Sequence, residues 1–145
     1  MRKLVIACLL LSLSACRDYM KERYGSLAEA KRAGAVERGW VPAFVPVSAR
    51  DITEAHDIDT NAQTLEFTTR PSDVGAMVAG FRPVSSDDKG LAAELSDNLG
   101  LEGDAESYVV CSKVLNGVLV VNRERGHAIY KTPVDWVNDD CSLAE

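Results

Sequence analysis

The sequence predicts an α+β fold, a single small domain in which an antiparallel sheet of about five strands packs against two or three short helices. Three observations point there. The last third, Ser107 to Thr132, is a series of short apolar or alternating runs separated by turn residues, the pattern of a β-meander. Gln63 to Thr69 alternates in the same way, with Leu65 and Phe67 on one face and Thr64, Glu66 and Thr68 on the other. Helix signals fall elsewhere, at Ser26, Pro71 and Leu91. Strands and helices are segregated rather than strictly alternating, which favours α+β over a parallel α/β design.

The chain opens with Arg2 and Lys3, an apolar run from Leu4 to Leu13 broken by Ser12, and the small residues Ser14 and Ala15 before Cys16. Charge, apolar stretch and small residues in that order make a secretory signal peptide. The run is about ten residues, half the roughly twenty that a spanning helix needs. Leu13-Ser14-Ala15-Cys16 resembles the lipobox of bacterial lipoproteins. That resemblance implies removal of residues 1–15, lipidation of Cys16 as the first mature residue, and the lipid bilayer as a partner. Each buried methylene contributes about 0.8 kcal/mol, so the two or three acyl chains of such proteins anchor stably. Arg17 stands where an aspartate would resemble the inner-membrane retention signal of enteric bacteria. The expected location is therefore the cell envelope, at the outer membrane facing the periplasm if the source is Gram-negative.

Domain organisation follows: 1–15 signal peptide, 16–25 lipidated N-terminus and tether, 26–145 one α+β domain. Arg2 and Lys3 leave with the signal, so 16 basic side chains become 14 against 22 acidic ones, a net charge of −8. No basic stripe offsets it, which excludes nucleic acid as a partner. Cys8 also leaves, and with Cys16 lipidated only Cys111 and Cys141 remain. Two thiols in an oxidising compartment read as a disulfide. Metal ligation is the rival, but no CxxC spacing supports it and the chain has only two histidines.

In chain order, Arg17 to Gly25 is charged and without apolar period, a tether. Ser26-Leu27-Ala28-Glu29 has capping-box form and opens a helix with Leu27, Ala30 and Ala33 on one face, weakened at Gly34. Trp40 to Val47 is apolar but carries Pro42 and Pro46, so it reads as a buried extended connector. In Ser48 to Ile58, Ile52, Ala55 and Ile58 recur at helical spacing, while Ile52, Thr53 and the later Asp59-Thr60-Asn61 favour a strand entering a turn. A strand is the reading adopted, because Gln63–Thr69 needs a partner. Pro71-Ser72-Asp73 caps a helix over Val74 to Gly80, Ser85 to Lys89 is a loop, and Leu91 to Leu99 forms a second short helix. Ser107 to Val114 is a strand, and Asn116-Gly117 signals a tight hairpin through tolerance of positive φ. The continuous run Val118 to Val121 suits a central strand covered on both faces. His127 to Thr132 completes the meander, and Trp136 and Cys141 lie in a polar tail pinned by the disulfide.

A second set of residues carries a weaker similarity. Pro46-x-Ser48-Ala49-x-x-Ile52, then Phe67-x-x-x-Pro71-x-Asp73-Val74, then a terminal hairpin ending near Tyr130, is similar to a pattern in small bacterial envelope proteins without an established activity. It implies a fold and no chemistry.

Catalytic candidates are few. His56 sits among Asp51, Glu54, Asp57 and Asp59, so His56, Asp57 and Asp59 form a speculative polar site, though the separations are those of any polar strand and turn, a solvated edge with turn-forming aspartates is the favoured reading, and no HExxH spacing is present. His127 could pair with Glu124. Asp139-Asp140 lack the alternating oxygen ligands of a calcium loop. There is no GxSxG elbow and no phosphate-binding glycine loop, and Trp40, Trp136, Phe44 and Tyr130 read as core or core rim. No catalytic residue, metal or cofactor is expected. The function expected is binding by a lipid-anchored envelope protein, with an envelope protein as a possible partner. The alternatives are an inhibitor or immunity protein against a basic cell-wall hydrolase or toxin, and a hydrolase using His56 and its neighbouring carboxylates.

Overall fold

Val118 to Val121 lies within the most enclosed of the described strands, and the rest of the sheet is laid out around it. The computed structural model describes residues 19–84, 105–111, 116–134 and 141. Among these residues seven strands form one antiparallel sheet: β1 (Tyr19–Ser26), β2 (Arg50–Asp57), β3 (Gln63–Thr68), β4 (Arg82–Pro83), β5 (Ala105–Val110), β6 (Gly117–Asn122) and β7 (His127–Thr132). Their spatial order is β1-β2-β3-β7-β6-β5-β4. Two meanders, β1–β3 and β4–β7, thus meet where β3 pairs with β7.

The two described helices are short, α1 (Leu27–Arg32) and α2 (Pro71–Val78). The architecture is accordingly closer to all-β than to the expected α+β, with seven strands rather than about five. The five expected strands are β2, β3, β5, β6 and β7; the two additions are the edges. β1 arises from the stretch read as a tether. Its Lys21, Glu22 and Arg23 show no apolar alternation because only Tyr24 among its side chains is buried, and pairing with β2 from Tyr19 to Ser26 holds it extended. β4 is two residues, one of them a proline, which suits the last place it takes in this strand order. The expected Leu91–Leu99 helix, the Ser85–Lys89 loop, Trp136 and Asp139-Asp140 lie outside the described residues.

One face of the sheet carries Ile52, Leu65, Phe67, Leu119, Val121, Ala128 and Tyr130, and packs against Leu27 and Ala30 of α1, Ala35, Val41, Val45 and Ala49 between α1 and β2, and Val74, Met77 and Val78 of α2. Val109, Val118 and Val120 point the other way, onto Val134 and Cys141. β6 is therefore buried on both faces along its whole length, as its unbroken apolar run requires.

α1 is capped by Ser26, whose Oγ accepts from the Glu29 amide at 3.3 Å while Glu29 Oε2 accepts from the Gly25 amide at 2.7 Å. α2 begins earlier than expected, with Pro71 in the first turn, and Asp73 ties it to the chain just before β2 by accepting from Ser48 Oγ at 2.5 Å. Gly117 is not a turn residue. It is the first residue of β6, opposite Val110, and what demands glycine there is close approach: a Cβ would stand 2.5 Å from the Lys131 carbonyl oxygen and 2.6 Å from the Tyr130 ring. Cys111 and Cys141 are joined by a disulfide, which excludes the metal alternative for this pair.

Candidate functional site

Strand geometry places every second residue on one face, so Glu54 and His56 on β2 project together into the covered side of the sheet. Both are buried: Glu54 is 0% exposed and His56 3%. His56 Nδ1 lies 2.6 Å from Glu54 Oε1. The imidazole is stacked on the Trp40 indole, with centroids 3.7 Å apart and planes 9° from parallel. Trp40 is held from its backbone as well, because Gln63, directly opposite His56 on β3, donates its amide N–H to the Trp40 carbonyl.

The other Glu54 oxygen, Oε2, has no hydrogen-bond partner among the described residues. Burial raises the Glu54 carboxyl above its ordinary range, and the opposing pull of the His56 hydrogen bond and charge does not reverse that. Across the β1–β2 ladder Glu54 faces Glu22, which accepts a hydrogen bond from the Tyr24 hydroxyl. Burial first, then that bond and the Glu22 charge, push the Tyr24 hydroxyl up to about 12. Arg38, 3.8 Å from Glu22, supplies the nearby positive charge.

Trp40 also forms one wall of a cleft of about 560 Å³. Phe44, Phe81 and Tyr130 continue the apolar lining, and Phe44 meets Phe81 and Tyr130 edge-on with centroids 5.3 Å away in each case. Arg38, Asn61, Gln63 and Thr132 supply polar groups. A concave, mainly apolar lining with a few convergent hydrogen-bonding groups is the form of a small-molecule site. The cleft sits against the end of the sheet where β3 starts at Gln63 and β7 finishes at Thr132, which face one another in register.

Only part of the polar site expected around His56 is brought together. Glu54 joins it; Asp57 and Asp59 do not. Asp57 Oδ1 accepts from the Asp59 and Thr60 amides at 3.0 and 2.9 Å, which shapes the β2–β3 turn, and these bonds hold its carboxyl below the ordinary range. Asp59 is exposed in that turn, and Asp51 lies at the register shift of β2 with φ 51°. His127 pairs with Glu66 of β3 at 2.9 Å, where Glu124 was the expected partner. Cys16 lies outside the described residues. Among those residues no three metal-ligating side chains converge.

Tyr130 lies in the core and Phe44 packs against it, as core or rim residues should, and with half-buried Trp40 they also wall the cleft. Gln63 and Phe81 carried no functional signal in the sequence. The spacing of Glu54 and His56 did hold one, since residues two apart on a strand share a face. The stack on Trp40, sixteen positions from His56, is a product of the connector's path and is written in no local pattern.

Residues 18–68 match the family model described as the YbbD head domain. The match coincides with the first meander, from the start of β1 to the end of β3, and so contains Glu54, His56, Trp40 and Gln63. No curated protein and no solved structure matches the chain.

Proposed function

We propose that this chain is a lipid-anchored binding protein of the bacterial cell envelope, acylated at Cys16 and displayed from the outer membrane into the periplasm. Its work is to hold a ligand with an apolar, aromatic-sized body and a hydrogen-bonding end in the cleft walled by Trp40, Phe44, Phe81 and Tyr130. The observation that carries this reading is the cleft, about 560 Å³ and mostly apolar, with Arg38, Asn61, Gln63 and Thr132 on it. The order of charge, apolar run and Leu13-Ser14-Ala15-Cys16 supports the anchor.

Binding fits the chemistry better than catalysis does. His56, the group best suited to acid–base work, lies under the Trp40 ring and is 3% exposed, so a substrate would reach it only if Trp40 left. The anchor confines the domain to a surface and raises its effective concentration toward anything held there. The test uses the mature protein and the fluorophore 1-anilinonaphthalene-8-sulfonate, whose apolar rings and single anionic group suit this lining. Saturable one-to-one binding is expected, weakened by about tenfold or more in Trp40→Ala, since each 1.4 kcal/mol of lost contact is a factor of ten. Non-saturable binding, or binding indifferent to Trp40 and Phe81 substitutions in folded protein, would remove the cleft from the proposal.

A further inference from the structure

Among the described residues the large apolar side chains most open to solvent are Tyr19 (58%), Met20 (42%), Ile58 (53%) and Val47 (82%). Three of these four gather at one end of the sheet. Tyr19 faces Asp57 and Met20 faces His56 across the β1–β2 ladder, and Ile58 follows Asp57 directly. β1 runs away from this end, so the preceding chain enters here. Only Arg17 and Asp18 separate Tyr19 from Cys16, and three Cα steps reach at most about 11 Å.

We infer that this end of the sheet rests on the bilayer, with Tyr19, Met20 and Ile58 seated at the boundary between headgroups and acyl chains. The inference rests on the Cys16 anchor proposed above and adds to it a fixed orientation. An anchor within about 11 Å of a sheet edge leaves the domain little room to stand off, so the residues nearest the anchor meet lipid whether or not they suit it. These suit it. Tyrosine places an apolar ring and a polar tip at the interface, and Met20 and Ile58 offer apolar surface on either side. The turn beside them satisfies two of its own donors internally, because Asp57 accepts from the Asp59 and Thr60 amides. Charge does not draw the domain down: Asp59 is exposed at this end and the mature chain carries −8, so the contact is apolar.

A second copy of the chain is the other natural occupant of this edge, and the sequence of β1 opposes it. When two β1 strands pair antiparallel about a two-fold axis normal to the sheet, the residue on the axis faces itself. Centred on Lys21, Glu22 or Arg23, that pairing sets like charges against each other. The bilayer orientation also turns the Asn61, Gln63 and Thr132 side of the cleft toward the headgroups.

The experiment uses the full acylated protein in phosphatidylethanolamine–phosphatidylglycerol vesicles, with an environment-sensitive fluorophore on Ile58→Cys or, as control, Val47→Cys. Val47 precedes β2 at the opposite end of the sheet, about 25 Å away along an eight-residue strand. Intact mass establishes acylation and the native disulfide in each sample. The Ile58 label is expected to shift to shorter wavelength and to be shielded from aqueous iodide by roughly fivefold relative to the Val47 label, as an interfacial site would be. Equal quenching of the two labels in acylated, vesicle-bound protein would overturn the orientation and leave the anchor standing. Shielding at Ile58 that appears without vesicles and grows with protein concentration would assign the surface to a second copy. A chain bearing no acyl group would overturn both the anchor and the orientation.

Discussion

Replacing His56 by alanine should be among the most damaging changes on the covered face of the sheet. Glu54 is 0% exposed and Oε2 is already without a partner, so removing the imidazole leaves both carboxylate oxygens unpaired in the core. Breaking one side of a buried ionic or hydrogen-bonded pair costs about 3–5 kcal/mol. Loss of the ring stacked at 3.7 Å on Trp40 adds about 0.5–1.5 kcal/mol. The expected penalty is about 3.5–6.5 kcal/mol, a large share of the roughly 5–15 kcal/mol typical of a domain. The paired change Glu54→Leu with His56→Phe should behave oppositely, because it removes the buried charge and keeps a ring under Trp40. Its stability should equal or exceed that of the native chain. Guanidinium unfolding followed by far-ultraviolet circular dichroism, with the disulfide intact, measures both. The pH dependence supplies a second signature. Burial raises the Glu54 carboxyl, so the folded state holds that proton more tightly than the unfolded state does. Stability from this group is complete below the ordinary glutamate value of about 4.3 and is lost as pH rises through the raised value; the paired variant should lack that slope. A cost below about 1 kcal/mol for His56→Ala, or a paired variant as unstable as the single one, would refute the reasoning.

Three further outcomes follow from other parts of the molecule. Replacing Cys111 and Cys141 by serine opens a loop with a sequence separation of 30 and should lower stability by about 3.5 kcal/mol on the chain-entropy relation, measured by the same unfolding curves. Gly117→Ala forces a Cβ against the Tyr130 ring and the Lys131 carbonyl, so it should cost about 1–3 kcal/mol and also weaken binding in the cleft that Tyr130 lines, read by fluorophore titration. Arg123 holds the Glu106 carboxyl below its ordinary range through hydrogen bonds to both carboxylate oxygens, with Tyr108 adding to it; carbon NMR titration should show Glu106 moving back up in Arg123→Ala while unfolding curves change little.

The parts of the fold legible in the sequence are those whose residues face one consistent environment. β3 alternates because one side is buried and the other is not, and β6 is uniformly apolar because both sides are covered. The edges escaped for the same reason inverted. β1 buries only Tyr24 and is held by its ladder to β2, so Lys21, Glu22 and Arg23 read as a solvated tether. Asn116-Gly117 looked like a turn through glycine's tolerance of positive φ, whereas Gly117 is needed for the space under Tyr130. In the site, the Glu54–His56 spacing was visible and its burial was not, since burial depends on Trp40 folding back from the connector. Asp57 and Asp59 drew attention as carboxylates, yet one of them shapes a turn by accepting its amides and the other stays exposed in it.

The measurement that bears most directly on a lipid-anchored binding protein is the intact mass of the chain extracted from its native membrane, taken with and without reduction. The expected species is a polypeptide beginning at Cys16 and carrying the mass of two or three acyl chains, with one hydrogen gained per thiol when the Cys111–Cys141 bridge is reduced. An unacylated chain retaining residues 1–15, or one released to the soluble fraction, would contradict it.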